Sequence, residues 1–276
     1  MQFSLESLAA AATIAGLVIS LLALLHSRAW LILTSLLFVG LAVAVGLYAR
    51  RGRQALDAAS IVIEGQSIDS LNIANLRRRV NKTFVIQEAH HTARITGEDL
   101  EITWKYSGFC RAKHETAMEF SIDSQAGTPF AKLDCVAFDL GHDRDMTHAI
   151  RPVLIGTEGL SKKISVPFLE PLRANQSFSL LLKCTLPGCM TTGFNYYTST
   201  LSFAQNHVPR CTVQLVFLGT TPSWVRVYES SLHHAAELVK TLAPSRQEPG
   251  LSEYLDVVEN REGQSARVYT FFRDSV

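Results

Sequence analysis

Two long apolar runs at the N-terminus constrain the fold more than any other feature of this sequence. Leu8–Leu25 and Ala29–Ala49 contain no charged side chain and are separated by three residues only. A helix needs about 20 apolar residues to cross a bilayer. The runs therefore predict a transmembrane helical hairpin over residues 1–50. The alternatives are a buried hairpin, although such helices usually carry a polar face, and a cleaved signal peptide, although Met1–Ser7 lacks a cationic start.

The cations around the two runs predict an orientation. The turn between the runs carries Arg28, whereas Arg50, Arg51 and Arg53 follow the second run. Cytoplasmic loops carry an excess of Lys and Arg. We therefore expect a two-pass protein of the bacterial inner (plasma) membrane, with both termini and the large domain in the cytoplasm.

Small residues recur at four-residue spacing within the runs. Ala12, Gly16 and Ser20 form one stripe, and Gly40 and Ala44 repeat the spacing in the second run. Small residues let two membrane helices approach closely. The stripes predict packing of the two helices against each other, or packing between copies of the chain in a homo-oligomer.

Charge and cysteine usage exclude some classes of protein. The 26 Lys and Arg residues nearly balance the 25 Asp and Glu residues, so a broad basic face for a nucleic-acid duplex is not expected. An odd number of scattered cysteines is a poor disulfide framework and suits a reducing cytoplasm. The five are Cys110, Cys135, Cys184, Cys189 and Cys211.

The hydrophobic period changes along the rest of the chain. Residues 51–82 have roughly helical spacing and predict a connector of short helices. Within residues 83–229, short runs such as Leu100–Tyr106 alternate apolar and polar residues and are separated by Gly, Pro and Asn. This pattern predicts a mainly antiparallel β-sandwich or barrel. The expected fold class is thus an α+β membrane protein.

The last segment, residues 230–276, combines two predicted elements. Apolar residues at helical spacing predict a helix over Ser230–Leu242. Tyr254–Val258 and Ala266–Phe272, with a turn around Asn260–Gly263, predict a terminal β-hairpin.

No motif of a known catalytic class is present, so we expect no enzyme, no cofactor and no catalytic residues. The segment Asp139–His148 is rich in His and carboxylates, but its spacing matches no metal motif, and a solvated turn is the ordinary explanation. Cys184 and Cys189 are spaced like half of a zinc knuckle without a second half, which favours a β-turn with two buried thiols.

Aromatic and cationic side chains within the β region suggest a ligand site. A nucleotide would require an aromatic ring to stack on and Arg or Lys to pair with phosphate. The candidates are Arg144, Arg151, Tyr196, Tyr197 and Arg226.

The plan of the chain, with Leu8–Leu25 and Ala29–Ala49 followed by alternating strands from Phe84 onward, resembles bacterial antiphage membrane effectors with a two-transmembrane hairpin and a β-strand-rich sensor domain. The resemblance implies a domain that senses a cyclic nucleotide and a hairpin that oligomerises and disrupts the membrane. Expected partners are the lipid bilayer, a cyclic nucleotide and further copies of the chain. The alternative function is a passively anchored protein-interaction module with an immunoglobulin-like domain, which Trp104 on an early strand suggests.

Overall fold

The structure, a computed structural model, describes residues 13, 15, 16, 20, 35, 37–45, 60–72, 81–123, 128–158, 161–190, 193–231 and 236–273. Strands account for 68% of these residues. The chain divides into two compact units, Met1–Ala58 and Ala59–Val276.

The described residues of the first unit are α-helical. No helix in the described part of the chain has both the length and the apolar composition that crossing a bilayer requires. The predicted α+β fold with a two-helix transmembrane hairpin is therefore wrong, and so is the predicted two-pass location in the inner membrane. Much of Leu8–Leu25 and of Ala29–Ala49 lies outside the described residues.

The small-residue stripes can be compared with the structure at four of their five positions. A Cβ on Gly16 would lie 3.0 Å from the Phe38 ring, so the two helical segments approach closely there. The Ser20 hydroxyl donates to the Gly16 carbonyl at 2.8 Å. Gly40 and Ala44 are exposed, and Ala12 lies outside the described residues.

The described part of the second unit contains fourteen strands and one short 3-10 helix. In chain order they are β1 Ser60–Ile63, β2 Gln66–Asn72, β3 Phe84–Thr96, β4 Asp99–Cys110, β5 Glu115–Asp123, the 3-10 helix Phe130–Leu133, β6 Val136–Asp139, β7 Val153–Glu158, β8 Ser161–Leu172, β9 Ser177–Leu186, β10 Gly193–Leu218, β11 Val225–Ser231, β12 Glu237–Leu242, β13 Arg246–Glu248 and β14 Leu251–Arg273.

Strands replace two sets of predicted helices. The connector region contains the hairpin of β1 and β2, whose two-residue turn is Glu64-Gly65, and residues 73–80 lie outside the described part. The predicted helix Ser230–Leu242 is wrong at its C-terminal end, where β12 pairs with β11. Pairing with a neighbouring strand overrides the local helical pattern in both places.

Strands β10 and β14 pair over most of their length and bend together. Phe217 pairs with Ser252, yet the rings of Phe217 and Phe271 lie 4.9 Å apart. A straight strand would separate Ser252 from Phe271 by about 60 Å, at about 3.3 Å per residue. The ribbon of β10 and β14 therefore folds back, and the terminal hairpin expected from the sequence is one bent strand.

The bend lies where the register of β10 and β14 shifts, between Ser202 and His207. A Cβ on Gly263 would lie 2.0 Å from the Gln205 carbonyl oxygen, so this close approach requires glycine. The Gln205 side chain accepts a hydrogen bond from the Ile86 amide at 2.5 Å and donates to the Ile86 carbonyl at 2.7 Å. The Gln205 side chain thus satisfies backbone groups of the bulged strand β3.

The bend divides the nine-stranded sheet into two layers. The first layer contains β6, β9, β4, β3, β13, residues 207–218 of β10 and residues 251–262 of β14. The second layer contains residues 193–202 of β10, residues 263–273 of β14, β11 and β12. A three-stranded sheet, in the order β5-β8-β7, packs against the first layer, with Phe120 stacked on Trp104 at 6.2 Å between centroids. The predicted β-sandwich fits this arrangement.

A polar network runs between the layers. Arg261 is 2% exposed and donates to the Ser199 hydroxyl at 2.9 Å and to Cys211 Sγ at 3.4 Å. The Ser199 hydroxyl lies 2.8 Å from His91 Nδ1, and His91 Nε2 lies 2.7 Å from the Tyr106 hydroxyl. No carboxylate among the described residues forms an ion pair with Arg261, so neutral dipoles hold its charge.

Candidate binding surface on the second layer

The five residues predicted to bind a ligand do not form one site. Arg144 and Arg151 are exposed in the segment between β6 and β7. Tyr197 points between the layers, where its buried hydroxyl accepts a hydrogen bond from Trp104 at 2.9 Å. Burial raises the pKa of Tyr197. A ligand at the surface of the domain cannot reach this ring without opening the core.

Tyr196 and Arg226 are the pair that the structure brings together. Each is the direct cross-strand partner of Thr270, Tyr196 from β10 and Arg226 from β11. Directly opposed residues in antiparallel strands share a face, so all three side chains lie on the face of the second layer that points away from the core. We call this the outer face of the second layer.

A row of aromatic side chains borders this pair. Phe272 pairs with Phe194 on one side and lies beside Trp224 on the other, because Val225 pairs with Phe271. The rings of Phe194 and Trp224 have centroids 6.3 Å apart. Phe272 is 38% exposed, so the row presents an apolar surface to solvent.

Arg226 is fixed by contacts on two sides. Its guanidinium carbon lies 4.5 Å from the centroid of Trp224, a cation–π contact. Its NH1 group forms an ion pair with Glu64 at 2.6 Å, and the Tyr228 hydroxyl donates to the same Glu64 oxygen at 2.7 Å. The hydrogen bond to Glu64 raises the pKa of Arg226.

Thr270 places a buried hydroxyl group beneath the outer face. The residue is fully buried, and its hydroxyl has no hydrogen-bond partner among the described residues. Buried hydroxyl groups are normally paired. This one is enclosed between Tyr196 and Arg226, so no group from outside the chain reaches it in this arrangement.

The hairpin of β1 and β2 covers the remainder of the outer face. Ile63 and Ile68 are buried against Ala266 and Val268, with Tyr228 at the edge of this small cluster. The hairpin therefore covers the half of the outer face that includes Ala266 and Val268. The aromatic row lies in the other half, and Arg226 lies beside the turn of the hairpin.

The segment Asp139–His148 forms a well-bonded turn. Asp139 is fully buried and accepts hydrogen bonds from His142 Nδ1 at 2.8 Å and from the Leu169 amide at 3.1 Å. Asp143 accepts from the His148 amide at 2.6 Å, which lowers the pKa of Asp143. No group of three or more metal-ligating side chains occurs within the described ranges.

One disulfide bond forms among the cysteines, although their odd number and scattered positions predicted none. Cys135 and Cys184 form a disulfide that ties the start of β6 to β9, and Cys110, Cys189 and Cys211 are free. Cys184 and Cys189 are therefore not two buried thiols of one turn. A disulfide between neighbouring strands was not predicted, because spacing along the sequence does not reveal cross-strand pairing.

The sequence reasoning missed Phe194, Trp224, Tyr228 and Phe272 of the outer face, and it missed Glu64 in the turn between β1 and β2. The alternation of Trp224, Arg226 and Tyr228 was a usable sign, because residues two apart in a strand share a face. No sequence pattern indicated Glu64, because it lies 162 positions away from its partner Arg226 in the chain.

Comparisons with known proteins do not identify this chain. No protein-family model matches it, and no curated protein matches it. Similar solved structures include the M1 zinc metallopeptidase from Deinococcus radiodurans, at 14% identity and a TM-score of 0.39, over 68% of this chain and 42% of that one. A two-domain M1 zinc metallopeptidase mutant bound to L-tryptophan has 14% identity and a TM-score of 0.38, over 68% of this chain and 43% of that one. The chain thus spans less than half of those proteins, and similarity at this level supports no conclusion about its function.

Proposed function

We propose that this protein is an interaction module that binds a segment of a partner protein on the outer face of the second layer. The observation that carries the proposal is the convergence of Trp224, Arg226 and Tyr228 with the exposed ring of Phe272 on one face. Trp, Tyr and Arg are the residues that dominate binding energy in protein interfaces.

The pairing capacity of the face supports a polypeptide partner. The Arg226 side chain, which is 40% exposed, lies between the aromatic row and the covered half of the face. A peptide offers both oxygen acceptors for the guanidinium and side chains for the aromatic row.

A selection from random 12-residue peptides displayed on phage tests this proposal. The immobilised full chain is the bait, and the affinity of the selected peptides is then measured by fluorescence anisotropy. We expect Trp224→Ala to weaken binding by about 2 kcal/mol, roughly 30-fold, as for a central interface residue. Phe272→Ser, which changes a more exposed ring, should weaken binding in the same direction.

The matched control is Val153→Ala. Val153 is 57% exposed on β7, in the separate three-stranded sheet. We expect this variant to bind the selected peptides like the unchanged protein. Peptides that lose affinity with Val153→Ala but not with Trp224→Ala or Phe272→Ser would refute the proposed surface. Circular dichroism of each variant establishes that it is folded.

The expected cyclic-nucleotide ligand and the antiphage role stay predictions. Tyr196 and Arg226 share the outer face, so a nucleotide would have to bind there rather than at Tyr197, Arg144 or Arg151. Adding a cyclic dinucleotide to the anisotropy assay tests this alternative. Displacement of the selected peptides would favour the nucleotide, whereas unchanged anisotropy would favour a polypeptide partner.

A further inference from the structure

We infer that Glu64 occupies the anion-binding position of the outer face, and that the partner is an acidic segment whose carboxylate replaces Glu64. The inference rests on the proposed interaction function. It adds the chemical class of the partner and a means by which the chain restrains its own binding.

Two donors of the outer face converge on the Glu64 carboxylate. One oxygen of Glu64 accepts hydrogen bonds from the Arg226 guanidinium at 2.6 Å and from the Tyr228 hydroxyl at 2.7 Å. Two donors from one strand that converge on one oxygen form a carboxylate site. The Glu64 side chain is 19% exposed, so its carboxylate is largely shielded from water in this position.

Arg226 retains capacity for further hydrogen bonds. A guanidinium has five N–H donors in a planar fork that suits a carboxylate with two oxygens. Among the described residues only NH1 of Arg226 has a hydrogen-bond acceptor. The side chain is 40% exposed, so a partner carboxylate can approach the fork from solvent. The cation–π contact with Trp224, at 4.5 Å, restricts the movement of the guanidinium.

The hairpin that carries Glu64 is attached to the large sheet by side-chain contacts. Within the described part of the chain, β1 and β2 hydrogen-bond to each other and to no strand of the large sheet. A hairpin of two strands is marginal by itself, and this one depends on Ile63 and Ile68 packed on the outer face. The turn is therefore an element that can be displaced without unpairing the nine-stranded sheet.

The backbone of the turn agrees with such a role. Glu64 has a φ of 53° and Gly65 has a φ of 77°, as a two-residue hairpin turn requires. A left-handed conformation is unfavourable for glutamate, and the contacts to Arg226 and Tyr228 hold it there. The chain thus uses its own carboxylate where a partner's would bind, beside the aromatic row that would receive the partner's apolar side chains.

The experiment repeats the phage selection with the Glu64→Gln protein as bait. We expect the selected peptides to contain Asp or Glu several times more often than the unselected library. These peptides should bind the unchanged protein about 10-fold more weakly, because the internal carboxylate competes for Arg226. In the Glu64→Gln protein, the further change Arg226→Gln should weaken the binding of these peptides at least 10-fold. Arg226→Lys in the same protein should keep more affinity than Arg226→Gln, but it should recover less than half of the binding free energy that Arg226→Gln loses, because lysine lacks the planar fork.

A second ion pair in the same domain supplies the matched control. Arg246 and Glu248 pair at 2.8 Å and are both about half exposed. Glu248→Gln removes a glutamate from a surface ion pair just as Glu64→Gln does. We expect it to leave the affinity of the selected peptides unchanged.

The outcomes separate the inference from the proposed function. Selected peptides that require Trp224 but show no acidic enrichment, or bind equally well with and without Glu64→Gln, would overturn the inference and leave the interaction surface in place. Peptides that are insensitive to Trp224→Ala and to Phe272→Ser would overturn both. Acidic enrichment that depends on Arg226, together with tighter binding after Glu64→Gln, supports the inference.

Discussion

Stability of the second unit should depend on pH through one buried histidine. His91 is 1% exposed, between the Tyr106 and Ser199 hydroxyls. Burial first, and then the charge of Arg261, lowers the pKa of His91 to about 3. An unfolded chain has an ordinary histidine pKa of about 6.5. Between these two values the unfolded state binds the proton and the folded state does not.

The sign and size of the effect follow from this difference. Where the unfolded state binds more protons, the free energy of unfolding falls as the pH falls. One pKa unit corresponds to about 1.36 kcal/mol. Between pH 7.5 and pH 5.0 the contribution of His91 lowers the free energy of unfolding by about 2 kcal/mol. This window lies well above the pKa of His91 in the folded protein, so the result depends mainly on the histidine of the unfolded chain.

Urea unfolding of the unchanged protein and of His91→Gln, at pH 7.5 and pH 5.0, measures this contribution. Glutamine can keep a hydrogen bond to Ser199 or Tyr106 but does not titrate. From pH 7.5 to pH 5.0 we expect the free energy of unfolding of the unchanged protein to fall by about 2 kcal/mol more than that of the variant. His148→Gln is the control, since the His148 side chain is 73% exposed. An identical pH response of the unchanged protein and His91→Gln would refute the reasoning. If His91→Gln does not fold, an NMR titration of the His91 ring that shows protonation above pH 5 would refute it equally.

Two further predictions concern the covalent and steric constraints on the sandwich. Replacing Cys135 and Cys184 by serine should lower the free energy of unfolding by about 4 kcal/mol, from chain entropy for a separation of 49 residues, measured by urea unfolding against the oxidised protein. Gly263→Ala should lower the midpoint of thermal unfolding, with a cost of about 1–3 kcal/mol, because the added Cβ would lie 2.0 Å from the Gln205 carbonyl oxygen. Gly156→Ala, whose Cβ would make only ordinary contact, should unfold near the original temperature.

The sequence predicted strands well where one face of a strand is buried. Leu100–Tyr106 was expected as a strand, and β4, Asp99–Cys110, contains this run. Alternation of apolar and polar residues reports burial of one face directly. The same rule did not predict that β10 and β14 are long continuous strands. Gly and Asn residues occur at the bends of such strands, and the same residue types also mark turns between separate strands.

Helical spacing was the least reliable indicator. The apolar residues of Ser230–Leu242 suit a helix, but Leu238 and Val239 are 54% and 46% exposed on β12. The spacing therefore did not report burial, and pairing with β11 determined the structure. Apolar composition over residues 1–50 likewise predicted a membrane hairpin that the described residues do not support.

The candidate site could be predicted only in part. Tyr196 and Tyr197 are consecutive in a strand and point to opposite faces, so they could not share one ligand site. Tyr196 and Arg226 were both predicted to bind a ligand, and the structure places them on the same face, whereas ligand binding itself stays a prediction. Its neighbour Glu64 depends on a contact between distant parts of the chain, which no local pattern encodes.

Photo-crosslinking tests the central claim, the binding surface, most directly. The residue p-benzoylphenylalanine replaces Phe272 in one variant and Val153 in a second variant, and each is irradiated with a bound peptide from the phage selection. Both positions are exposed, at 38% and 57%, but they lie on different sheets. We predict a crosslink from position 272 and none from position 153. A crosslink from position 153, with none from position 272, would contradict the assignment of the outer face of the second layer as the binding surface.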